Sequence, residues 1–125
     1  MKILLTIIIV FVSSNSVQAG DWFAVDGGVI EIKLDKESME TSLWKYIDSF
    51  SDRKFEPRKK YSFQYKVVTE DVIKIHAMCY IFGEVNDDAL SKNFIIVDDG
   101  GSCFFEISLN LKTGDFFELY VNGEA

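Results

Sequence analysis

From Tyr61 to Val121 apolar and polar residues alternate along successive stretches of chain, and a period of two admits little besides a half-buried sheet. Tyr61, Phe63, Tyr65 and Val67 alternate with Ser62, Gln64 and Lys66. A longer run from Val72 to Phe82 sets Ile73, Ile75, Ala77, Cys79 and Ile81 on one face. Ser102 to Leu111 does the same for Cys103, Phe105, Ile107, Leu109 and Leu111. Phe116 to Val121 places Phe117, Leu119 and Val121 together. Between them, Asn93 to Val97 reads as a short apolar strand, preceded by a polar loop from Gly83 to Lys92 and closed by Asp98-Asp99-Gly100-Gly101. The turns at Thr69-Glu70-Asp71 and Lys112 to Asp115 join neighbours into an antiparallel meander.

Upstream the period changes. Met39, Leu43, Tyr46, Ile47 and Phe50 recur at three- and four-residue spacing, which predicts a helix from about Lys36 to Asp52. Glu37 and Glu40 near its start and Arg53 and Lys54 at its end suit the helix dipole. Before it, Trp22 to Val25, Asp26-Gly27-Gly28 and Val29 to Ile32 read as a short hairpin. The expected fold is α+β: one N-terminal helix packed on a curled antiparallel β-meander of four to five strands, preceded by that hairpin. Its apolar stripe should meet Phe63, Ile75, Ile107 and Leu119. This arrangement resembles the cystatin-like layout. The Gln-x-Val-x-Gly hairpin of the cystatin inhibitors is missing, since Gln64-Tyr65-Lys66-Val67-Val68 has no Gly, and neither Trp22 nor Trp44 follows a Pro. The resemblance therefore implies architecture and not protease inhibition.

Residues 1–19 carry a short positive start at Met1-Lys2, an apolar run from Ile3 to Val12, a polar patch, and Val17-Gln18-Ala19 with small residues at −3 and −1. That layout predicts a cleaved secretory signal peptide, leaving 20–125 as a single α+β domain. The apolar run is about half the ~20 residues a membrane span needs, so no membrane span is expected. The destination is periplasmic or secreted, an oxidising space in which Cys79 and Cys103 would form one disulfide. Their alternation puts both on the core face, where a cross-strand bridge is geometrically reasonable.

Thirteen Lys and Arg stand against twenty Asp and Glu in 125 residues, a formal charge of −7. Such a balance argues against nucleic acid as a partner, because a phosphate backbone needs a basic patch. The chain has no Gly-x-Ser-x-Gly elbow, no His-Glu-x-x-His and no phosphate-cradling Gly loop. The EF-hand order of carboxylates is missing from Glu84 to Asp88 and from Asp98 to Gly101, and the Asp-Gly-Gly turns read as hairpin chemistry. His76 is expected on the face away from the core, in solvent or at an interface. The expectation is a protein that is not an enzyme and takes neither metal nor cofactor.

That second face is the candidate functional surface. Met78, Tyr80, Phe82, Phe104, Phe116 and Tyr120 point to it by parity, whereas an open antiparallel face should be mostly polar. Aromatics and Met are enriched where proteins meet. Tyr80, Phe82 and Phe104 are therefore expected as apolar anchors for a protein partner, rimmed by Glu84, Asp87, Asp88, Asp98 and Asp99. The functional expectation is a small acidic exported binding protein, an inhibitor or immunity-type protein acting on a basic secreted or cell-wall hydrolase. Its alternatives are a self-associating envelope protein, dimeric across this face, or a small-ligand carrier with a pocket between helix and sheet.

Overall fold

The computed structural model describes residues 22–25, 36–79 and 87–123. The proposed signal peptide, the hairpin turn with its second strand, and Tyr80, Phe82 and Glu84 lie outside them. Five strands form one sheet in the order of the chain: β1 (Trp22–Ala24), β2 (Ser62–Val67), β3 (Val72–Met78), β4 (Phe104–Asn110) and β5 (Phe116–Val121). The expected α+β class holds, with one main helix, α1 (Lys36–Phe50). The sheet is mixed, not wholly antiparallel. β1 pairs in parallel with β2, Trp22 opposite Phe63, and the helix lies between them in sequence, so a strand precedes the helix. A parallel partner needs a long crossover, and α1 supplies it.

α1 covers one face. Leu43, Trp44 and Ile47 are buried there with Phe63, Ile75, Phe105 and Ile107. Trp44, outside the expected stripe, takes the inward place, while Phe50 at the helix end is exposed and stacks on Tyr46 at 4.4 Å between ring centres. Trp22 fastens β1 to the helix: its ring stacks on Phe63 and its indole N–H donates to Glu40 Oε1 at 2.6 Å. The Tyr61 hydroxyl donates to the Ser102 carbonyl at 2.6 Å and accepts from the Glu56 N–H at 3.2 Å. Those bonds and the ring contacts of Trp44 and Phe105 close the end of the core.

β5 departs from simple alternation. Glu106 faces Tyr120, but Ser108 faces Phe117 and Leu109 faces Phe116, so the register shifts in between. Glu118 sits at φ 55, the left-handed conformation that a bulge needs. The bulge reverses parity: Phe116 joins the core with Leu119 and Val121, and Phe117 goes to the other face with Ser108. Phe116 and Phe117 therefore exchange the places expected from strict alternation.

The connection from β3 to β4 decides what the second face becomes. Residues 93–97 are irregular chain and not a strand. They follow a short helix, α2 (Asp87–Leu90), and run across the sheet as a strap. Gln64 holds them as a backbone would. Its Nε2 donates to the carbonyls of Leu90 (2.9 Å) and Asn93 (2.7 Å), and its Oε1 accepts from the Ile95 N–H (2.8 Å). At the far end the Asn122 amide donates to the carbonyls of Val97 (2.6 Å) and Asp99 (3.0 Å). Gly100 ends the strap at φ 95, where a Cβ would also stand 2.6 Å from the Phe104 ring. Cys79 and Cys103 close the connection as a disulfide, Cα to Cα 4.9 Å, and the Cys79 N–H donates to the Cys103 carbonyl at 2.9 Å.

Beneath the strap, Met78, Leu90 and Phe104 form a second buried cluster with Phe23, Ile95 and Val97 packed on it. The expected open aromatic flank is thus covered by the chain itself. The described residues form three layers: helix, sheet and strap.

Candidate functional site

Gln64, His76, Glu106 and Tyr120 stand opposite one another on β2, β3, β4 and β5, a polar row across the second face. Alternation brought them there, since each lies one residue off the core parity of its strand. The strap crosses this row. Gln64 is spent on holding it, and Phe94 stacks on His76 with ring centres 5.3 Å apart. His76 is consequently buried, 3% exposed, and not solvated as expected. A cleft of about 220 Å³ lies between Ile96, Val97 and Asp98 on one side and His76, Glu106, Tyr120 and Asn122 on the other.

The cleft's polar groups are mainly hydrogen-bond acceptors. His76 Nδ1 lies 3.6 Å from Glu106 Oε2, long for a direct hydrogen bond, and neither ring nitrogen has a hydrogen-bond partner. The neighbouring His76 side chain holds the Glu106 carboxyl below the usual carboxylate range against the upward push of burial, and the Lys74 charge lowers it further. Glu106 is therefore a half-buried anion at neutral pH. Asp98 stands exposed at the rim. A second, wider depression of about 450 Å³ lies on the other side of Glu106 and Phe94, lined also by Lys66, Lys74, Val67 and Val68.

Of the expected contact residues, Asp98 and Asp99 are exposed on the strap, and Asp98 reaches the cleft. Asp88 is exposed on α2 and paired with Lys92 at 3.0 Å, away from these cleft-lining residues. Asp87 opens α2. Phe104 is corrected: at 3% exposure beneath the strap it is a core residue and offers a partner nothing. Met78 and Phe116 are buried as well, and with them goes the support for a dimer across an aromatic sheet face. Tyr120 alone of the described aromatics of that set is open, at 64% exposure, with Ile96 at 68% across the cleft from it. Sequence reasoning passed over Ile96, Glu106 and Asn122 as site residues. The signal for Glu106 was its place opposite His76, readable only once the β3–β4 register is known.

Among the described residues no helix is long and apolar enough to cross a membrane, and no cluster of three or more His, Cys, Asp and Glu side chains could hold a metal ion. No protein family model, curated protein or solved structure matches this chain. The site must be read from its own geometry.

Proposed function

We propose that this protein is a small acidic binding protein, exported to the periplasm or secreted, which engages a cationic protein partner through the strap and β5. The class of partner is a secreted or cell-wall hydrolase, and the role that of an inhibitor or immunity-type protein; it is a binder and not an enzyme. The observation that carries this reading is the pairing of two exposed apolar side chains, Ile96 and Tyr120, across a cleft that holds Asp98 and Glu106. Apolar anchors beside acids are what a partner with a basic, partly apolar surface requires. A chain of net charge −7 would also steer such a partner toward it at low salt.

The test is calorimetric titration of the protein with a panel of cationic cell-wall hydrolases, and with an acidic hydrolase as control, at low and high salt. Binding to a cationic member that weakens with salt, and that falls roughly tenfold in the Ile96→Asp or Tyr120→Ala variant, is expected. No binding across the panel, or affinity unchanged in both variants, contradicts the reading.

A further inference from the structure

The cleft between the strap and β5 is more selective than a general acidic surface, and its chemistry names what enters it. The geometry points to a guanidinium site: the cleft lined by Glu106, Asp98, His76 and Tyr120 receives the head of an arginine side chain presented by the partner. The source of the guanidinium rests on the function proposed above, while the site itself rests on three features of the cleft.

The first is the imbalance of donors and acceptors. Glu106 and Asp98 are carboxylates and accept only. Both His76 nitrogens are buried without a hydrogen-bond partner although the ring lines the cleft. A buried polar group in that condition is costly unless a ligand or water completes it. The Asn122 amide nitrogen is already committed to the Val97 and Asp99 carbonyls, which leaves its oxygen side for donors. A ligand rich in N–H groups and poor in acceptors fits these surroundings.

The second is shape. Ile96 and Val97 on the strap and Tyr120 on β5 give apolar flanks to a predominantly polar cleft that holds the carboxylates. A guanidinium is planar, weakly hydrated at its faces, and has its donors in the plane, so it lies against apolar and aromatic walls while its edge meets carboxylates. An ammonium is a compact, strongly hydrated point charge and gains less from such walls.

The third is electrostatic. Glu106 stays ionised at neutral pH because of its contacts with His76 and Lys74. Lys66 and Lys74 border the neighbouring depression and not this one, with Glu106 between, so the cleft side presents the acids.

Two-dimensional ¹H–¹⁵N NMR titration of the full chain tests the site, with Nα-acetyl-arginine methylamide as probe. The matched lysine and citrulline derivatives and free arginine serve as comparisons. Saturable shifts confined to Ile96–Asp98, Glu106, Tyr120 and Asn122 are expected with the arginine probe. The lysine derivative should be weaker by about threefold or more, and the neutral citrulline derivative should give none. Glu106→Gln should weaken the arginine probe roughly tenfold. Asp98→Asn, at an exposed position that leaves the fold alone, should weaken it about threefold, so the test survives if the Glu106 variant is unstable.

Equal shifts with the citrulline derivative, shifts elsewhere, or indifference to Asp98→Asn in a folded protein overturn the site. Free arginine binding far more tightly than the blocked form overturns the assignment to a protein side chain. If cationic hydrolases bind while the arginine probe leaves the cleft unmoved, the guanidinium site fails and the proposed function stands. If the probe binds and no hydrolase does, the site stands and the hydrolase reading fails.

Discussion

Burial pushes the Tyr61 phenol up to about 12, although the Glu56 N–H that it accepts favours the ionised form. In the unfolded chain the same group ionises near its ordinary value of 10.0. Between those values the native state holds a proton the unfolded state has lost. The phenol's contribution to stability is therefore whole below about pH 10 and drains away as pH rises toward 12. Urea unfolding as a function of pH should show this alkaline decline, and Tyr61→Phe should flatten it. The same variant should cost about 1–2 kcal/mol at neutral pH, because the Ser102 carbonyl loses its donor. An alkaline slope unchanged in Tyr61→Phe would assign the loss to another group. Single residues were also the hardest to read from the chain. Strict alternation gave no sign that Glu118 adopts φ 55 and sends Phe116 inward, because the left-handed position is held by a residue other than Gly. Gln64 looked like an outward polar residue of a half-buried strand, yet it is fully buried and bonded to the strap, a partner twenty-six residues or more along the chain.

At the scale of elements, the periodic ones were legible and the connection was not. The helix and strands β2, β3 and β4 follow from spacing alone, since each must bury a face and the spacing says which. Phe94, Ile95, Ile96 and Val97 also look like a strand, because an apolar run is ambiguous when its partner is unknown. Their backbone groups are met instead by the Gln64 and Asn122 side chains, which no local pattern announces. The disulfide was legible in the even count of two cysteines, although Cys79 packs on the helix-side core and Cys103 on the cluster beneath the strap, and its place gives it a second task. It closes a segment of sequence separation 24 that contains the whole strap. In the chain-entropy model a loop of that size contributes about 3 kcal/mol. The double variant Cys79→Ala/Cys103→Ala should therefore unfold at lower urea by about that amount. Hydrogen exchange at the Ile95 amide should quicken more than at Ile75 in the core, since the strap lies inside the loop that the bridge closes. Equal acceleration at both would mean that the bridge serves the whole domain and not the strap.

Across the whole molecule, the sheet separates two different interiors. On one side the helix packs on aromatic and aliphatic residues, and the space between them is filled by Trp44, Phe63 and Phe105 among others, which weakens the case for a carrier pocket there. On the other, a self-supplied strap covers much of what parity alone presents as an open greasy face, and leaves the cleft beside Tyr120 and the depression beside Lys74 uncovered. That cover moves the candidate contact surface from the sheet to the strap's edge, and it turns a flat apolar face into an acid-lined slot. The edge strand β5 is itself unsuited to strand-to-strand dimerisation, because its bulge and the exposed Glu118 interrupt the free ladder. The covered second face depends on the strap lying across Gln64 and His76. Its most direct test is a nuclear Overhauser measurement between the rings of His76 and Phe94, with hydrogen exchange of the Ile95 amide followed in the same sample. Ring-to-ring cross-peaks and an amide protected far beyond a free peptide are the result the covered face predicts. Rings without contact and an Ile95 amide exchanging at the free-peptide rate would contradict it.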